Sequence, residues 1–170
     1  MKNTSIAIAL LACTTFAHGA DIELHIEIPA LDVAEYHRPY VAAWLETDDG
    51  QFVANLSIWY DQKLRNNEGE KWLKDMRQWW RKSGRTTQVP VEGITGATRP
   101  VGTHTLTYST QASPFSELSP GQYQLRVEAA REVGGREMVT VPFPWPHTDT
   151  VRFTQSGDSE LGTVQLIITP

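Results

Sequence analysis

The eight residues DIELHIEI at positions 21–28 decide the fold class. Ile22, Leu24, Ile26 and Ile28 fall on one side of an extended chain, and Asp21, Glu23, His25 and Glu27 fall on the other. Strict alternation of this kind marks a β-strand with one face on a core and one on solvent. Working outward, strand patterns recur at residues 40–46, 52–60, 103–110, 122–133, 136–142, 150–155 and 161–169. Asp48-Asp49-Gly50, Gly134-Gly135 and Ser156-Gly157-Asp158 supply tight turns, in which glycine adopts positive φ without steric cost. Short strands at this spacing predict a mostly β fold, an antiparallel immunoglobulin-like β-sandwich.

One amphipathic helix is expected as an insertion. Asn67 suits its N-cap, Glu70 completes a capping box, and Gly84 suits the stop. Trp72, Leu73, Met76, Trp79 and Trp80 share one helical face, with Lys71, Lys74, Arg77 and Arg81 opposite. The aromatic face is expected to anchor the helix on a sheet, and the basic face to be solvated with its stems along the surface. Trp59 and Trp145 are read as freer, each suited to be an aromatic wall.

Hydrophobic residues make up 40% of the 170 and charged residues 21%, which excludes a wholly disordered or fibrous chain. Residues 1–20 read as a removable secretory signal: Lys2, a short apolar run from Ser5 to Phe16, then Ala17-His18-Gly19-Ala20 for cleavage. Residues 21–170 are then one domain. The apolar run is too short to span a bilayer, and no later segment approaches that length, so the mature chain is expected to be periplasmic with no transmembrane segment. Losing Lys2, the one charge in residues 1–20, takes the formal net charge from −5 to −6. An acidic chain argues against a duplex nucleic-acid binder, which needs a basic footprint. Cys13, the single cysteine, lies inside the signal, so ordinary cleavage leaves no thiol for disulfides or metal clusters. Leu10-Leu11-Ala12-Cys13 also suits lipoprotein processing, which would retain Cys13 as a lipid anchor.

Residues 91–102, VEGITGATRPVG, hold too much glycine and proline for a regular strand and are expected to form a loop. Within them, Glu92-x-x-Thr95-Gly96-Ala97-Thr98 is similar to the acidic-x-x-Ser/Thr-Gly-Ala-Thr/Ser signature of proteins carrying covalent FMN. The acidic position is Glu where Asp is usual, and Pro100 stands where many such domains have another hydroxyl. The resemblance implies that a secreted flavin transferase uses FAD to join FMN to the Thr98 hydroxyl through a phosphodiester. By background residue frequencies the pattern arises by chance in roughly one in a thousand chains of this length. The wider sequence also resembles an uncharacterised family of predicted periplasmic proteins, through Trp44, the Trp-rich helix, Thr95 to Gly102, and GQYQLRVEAARE at 121–132. Members are typically encoded beside PepSY-type membrane reductases and flavin transferases, which are therefore the implied partners.

The residues fit that reading chemically. Gly96 and Ala97 add little bulk on an accessible loop, so a transferase and a flavin ring could approach closely. Arg99 is placed to offset the single negative charge of a phosphodiester. The competing reading makes residues 93–102 a tight connection and nothing more.

Other candidates are weaker. The aromatic face of the helix has the alternative of stacking on a flavin or relaying electrons, and its basic face that of docking an anionic flavin tail or an acidic partner. Glu23, His25 and Glu27 have metal-ligand chemistry, but neighbours two apart on one flat strand rarely converge, so no metal site is assigned. Gly157-Asp158-Ser159-Glu160-Leu161 imitates an esterase nucleophile block, yet no histidine follows it to act as base. No side chains are read as general acid–base catalysts, so no autonomous enzyme activity is assigned. The sequence thus points to a periplasmic flavoprotein, an electron carrier or reductase subunit with FMN on Thr98 and Glu92, Thr95, Gly96, Ala97 and Arg99 around it. The alternative is an unmodified immunoglobulin-like binding or structural module of the envelope.

Overall fold

The computed structural model describes residues 21–170; the signal and Cys13 readings lie outside the described residues. The alternating segment forms β1 (Ile22–Ile28), with Ile22, Leu24, Ile26 and Ile28 at most 2% exposed. It is followed by β2 (Tyr40–Thr47), β3 (Phe52–Tyr60), β4 (Thr95–Ala97), β5 (Gly102–Tyr108), β6 (Gly121–Ala130), β7 (Arg136–Trp145), β8 (Val151–Ser156) and β9 (Thr163–Ile168). These make a four-stranded sheet ordered β5-β1-β9-β8 and a five-stranded sheet ordered β4-β3-β2-β6-β7.

The sheets face each other across one core. Ile26, Val164 and Leu166 of the first meet Val41, Leu45, Trp59, Val127 and Phe143 of the second. The fold is therefore the two-layer β-sandwich expected, with one departure. Strand β4 lies within the segment expected to be a loop, and it runs parallel to β3 in otherwise antiparallel pairing. Its backbone groups find partners on β3, which outweighs the poor strand propensity of Thr95-Gly96-Ala97.

Strand β2 is buried on both faces. Val41, Ala43 and Leu45 point into the sandwich, while Ala42 and Trp44 belong to a second core on the outer face with Ile58, Tyr60, Leu73, Met76 and Trp79. That second core is roofed by residues 65–84. They form short helical turns, at Arg65–Asn67, Glu68–Lys71, Leu73–Asp75, Arg77–Trp79 and Trp80–Gly84, instead of one continuous helix. Asn66 and Asn67 take left-handed backbone, Asn67 makes no side-chain cap bond, and Met76 leaves the helical region at ψ 75°. The predicted capping box is therefore absent. The break also changes the phase of the apolar face: Leu73, Met76 and Trp79 are buried, whereas Trp72 is 51% exposed. Lys71, Lys74, Arg77 and Arg81 are exposed, as expected for a solvated face.

Side-chain bonds fasten this roof. The Glu128 carboxylate, buried on β6, accepts from the backbone N–H of Gln78 (2.9 Å) and Trp79 (2.8 Å), two donors that open the fourth turn. The Trp79 indole donates to Asn55 Oδ1 at 2.8 Å, and Asn55 Nδ2 donates to Ser83 at 2.9 Å. Gly84 is not a left-handed stop; a Cβ there would press on the rings of Trp79 and Trp80. The turn between β6 and β7 also differs from expectation, since Val133, not Gly134 or Gly135, takes positive φ (53°).

Burial raises the Glu128 pKa, against the opposing pull of the Trp79 and Gln78 N–H donors and of Arg136. A raised folded-state value means that its contribution is fully present below the ordinary glutamate range and is lost as pH climbs through the folded value. Urea unfolding should therefore show wild type losing stability relative to Glu128→Gln as pH rises from the ordinary glutamate range. Glu128→Ala, which strands two backbone donors, should lower the unfolding free energy by about 1–3 kcal/mol.

Candidate functional site

The residues singled out by sequence lie at the exit of the outer-face crossover. Gly93 turns the chain at φ 74°, and Val91 O then accepts from the Ile94 N–H (3.2 Å), the Thr95 N–H (2.9 Å) and the Thr95 hydroxyl (2.9 Å). Strand β4 follows, with Thr95 opposite Ile58, Gly96 opposite Trp59 and Ala97 opposite Tyr60. It is an edge strand, with β3 its neighbour on one side and no strand beyond it among the described residues. Gly102, at φ 130°, starts β5.

The motif is accessible. Ala97 and Glu92 are exposed, while Thr95, Gly96, Thr98 and Arg99 are half-buried. The Thr98 hydroxyl has no hydrogen bond among the described residues. Gly96 has ordinary strand backbone, and a Cβ there would stand 3.7 Å from Trp59 Cδ1, an ordinary contact. Neither φ nor packing therefore demands glycine at position 96.

Trp59 lies beneath the motif but is no open wall. It is 1% exposed, with the Arg99 guanidinium 5.1 Å from its ring centroid and His104 edge-on at 5.7 Å. Arg99 makes no hydrogen bond or ion pair among the described residues, so its N–H donors stay available beside Thr98. Trp145 packs on Phe115 at 5.8 Å and lies half-buried against the sandwich core. Of the two tryptophans read as freer in sequence, Trp59 is closed over by the opposite sheet and Trp145 is partly so.

Two hollows flank the motif. Glu92 and Thr95 line one of about 580 Å³ with Tyr60, Asp61 and Glu70. Ala97 and Thr98 line the other, of about 570 Å³. The Thr98 cavity is built by four connections: Tyr36 to Arg38 before β2, Asp61 to Leu64 after β3, Trp72 and Asp75 of the roof, and Arg131 to Val133 after β6. Tyr36, Arg38, Lys63 and Arg131 escaped sequence reasoning, since connections far apart in the chain carry no shared periodicity; Trp72, one of the aromatics weighed for flavin stacking, is expected from sequence in the core. The stretch 121–132 contains Arg131 but gives no sign of its spatial neighbours. Burial pushes the Tyr36 hydroxyl above its ordinary value, while the charges of Arg131 and Arg38 oppose the shift.

The other sequence candidates have structural partners. His25 Nε2 lies 2.8 Å from Glu23 Oε2, and Glu27 accepts from the Thr163 N–H at 2.8 Å. Among the described residues no cluster of His, Cys, Asp or Glu has the makings of a metal site. In the esterase-like block, Glu160 takes a bidentate bond from Arg131 (2.8 and 3.0 Å), and the Ser159 N–H donates to Glu137 at 3.1 Å. Among the described residues no helix is long and apolar enough to cross a membrane.

Residues 21–163 match the family described as "Predicted periplasmic protein (DUF2271)", and the chain belongs to that family. No curated protein and no solved structure matches it. The family description agrees with the periplasmic location expected from sequence.

Two glycines in and around this region should respond to alanine to different degrees. Gly69 abuts the Asp61 carbonyl oxygen and the Tyr40 hydroxyl, leaving no room for a Cβ. Gly69→Ala is expected to cost about 1–3 kcal/mol in urea unfolding, and Gly96→Ala less than about 1 kcal/mol.

Proposed function

We propose that this protein is a periplasmic flavoprotein, carrying FMN through a phosphodiester on Thr98 and serving as an electron carrier or reductase subunit. The observation that carries the reading is the setting of Thr98: a hydroxyl without a partner among the described residues, half-buried at the exit of an edge strand, opening on a ligand-sized cavity. Its volume of about 570 Å³ suits a small-molecule site, for which roughly 300–1,000 Å³ is usual. The absence of any fold requirement for glycine at 96 supports it further, since a modifying enzyme gains from a slim approach.

When bound, the isoalloxazine supplies the electron-storing chemistry, and the chain supplies position, charge balance and control of solvent. Arg99 would hold the phosphodiester charge with its free N–H donors while its plane stays on Trp59. Arg38 and Lys63 lie along the cavity wall, alongside the acidic Asp61, Asp75 and Glu132. The bulk of Trp59, closed beneath Gly96, keeps the motif off the sandwich core and directs an attached group outward. By the resemblance, a flavin transferase would load Thr98 and a PepSY-type membrane reductase would exchange electrons with it.

A second reading has an observation in its favour. Leu64, Trp72 and Val133 stand exposed around the cavity mouth, which also suits an unmodified envelope module that binds a partner. The purified protein would then be colourless.

Co-expression with a flavin transferase decides between them. Intact-mass analysis should show wild type heavier by one FMN moiety, with yellow absorbance, and Thr98→Ala unmodified but folded. Wild type at the mass of its unmodified chain, like Thr98→Ala at its own, would sink the flavoprotein reading and leave the binding module.

A further inference from the structure

The wall of the Thr98 cavity contains an arginine whose hydrogen bonding is incomplete. Arg131 has a side chain only 6% exposed and lies in the turn after β6. Its Nε and Nη2 donate to the two Glu160 oxygens at 2.8 and 3.0 Å. Its Nη1 is buried and has no partner among the described residues. A buried guanidinium nitrogen left without an acceptor is costly, and such groups are rare without a reason.

The opposite character appears at the mouth. Trp72 is 51% exposed beside the cavity, with Lys74 5.9 Å from its ring centroid. Val133 is 78% exposed in left-handed backbone, and Tyr36 is 37% exposed. A large aromatic held half in water on the wall of the cavity that Thr98 lines describes a site for a flat amphipathic ligand. The apolar mouth suits a ring face, and the Arg38 and Lys63 donors of the lining suit a carbonyl or ring-nitrogen acceptor on its edge.

We propose that this cavity is the seat of the isoalloxazine ring borne by Thr98, with Trp72 as its aromatic wall. The proposal rests on flavin attachment at Thr98 and adds where the ring lies. It makes Trp72 a positioning residue, which fixes the ring and excludes water from part of it. Trp72 is the better residue to alter, because Arg131 also holds Glu160.

The full chain would be co-expressed with a flavin transferase as wild type, Trp72→Ala and Trp72→Phe. Intact mass reports FMN occupancy, and flavin emission and visible circular dichroism report the surroundings of the ring. Wild type is expected to show emission several-fold below the same protein unfolded in urea, with an induced dichroism band. Trp72→Ala should keep its FMN, regain emission several-fold and lose most of that band; Trp72→Phe should retain most of the band. Full occupancy in wild type with emission no lower than in the unfolded protein overturns the seat and leaves attachment standing. Identical optical behaviour of wild type and Trp72→Ala also overturns it. Absence of FMN from wild type overturns attachment and the seat together.

Discussion

Burial of Leu73, Met76 and Trp79 on the outer face of the five-stranded sheet is the constraint on which the rest of the architecture depends. Ala42, Trp44, Ile58 and Tyr60 point away from the sandwich and would otherwise meet water. Covering them contributes about 1.5–3 kcal/mol for each large side chain buried. It also forces the path of the chain. After β3 the backbone must cross that face before it can rejoin the sheet, and a strand returning from such a crossover lies parallel to the one it left. Hence β4 runs beside β3 in the same direction, and the Thr95 to Thr98 motif comes to a sheet edge.

Carboxylates do much of the fastening at the ends of these elements. Glu128 holds the roof by two backbone N–H groups, and Glu137 takes those of Asp158, Ser159 and Leu161 in the turn before β9. Glu160 joins that turn to the one after β6 through Arg131 and the Gly135 N–H (2.7 Å). The pair ties one sheet to the other at that end of the sandwich. Buried pairs of this kind are weak sources of net stability and are costly to break on one side. Here the pair has a positional consequence: it fixes the guanidinium plane in the wall of the Thr98 cavity. The lining of that cavity balances Arg38, Lys63 and Arg131 against Asp61, Asp75 and Glu132, and Arg99 lies next to Thr98 in sequence without an ion pair among the described residues.

The strands were legible because a period of two is a local property. Ile22 to Ile28 shows its buried face in the one-dimensional pattern, and residues 52–60 end where the strand ends. The roof was misread for the complementary reason. A helical period assumes one uninterrupted helix, and the turns at Trp72 and Met76 break it, so Trp72 moved from the expected core to the surface. Strand β4 was hidden by composition, since glycine and proline lower strand propensity, whereas β3 offers backbone partners that propensity does not count.

Alternation, turn residues and the Glu92 to Arg99 pattern carried the fold class and the position of the motif by themselves, because each depends on neighbours within a few residues along the chain. The cavity beside Thr98, the exposure of Trp72 and the unsatisfied Nη1 of Arg131 came only with the tertiary structure. Those properties are set by connections that precede β2, follow β3 and follow β6, and their distances from one another are decided by how the sheet is ordered and by what covers it.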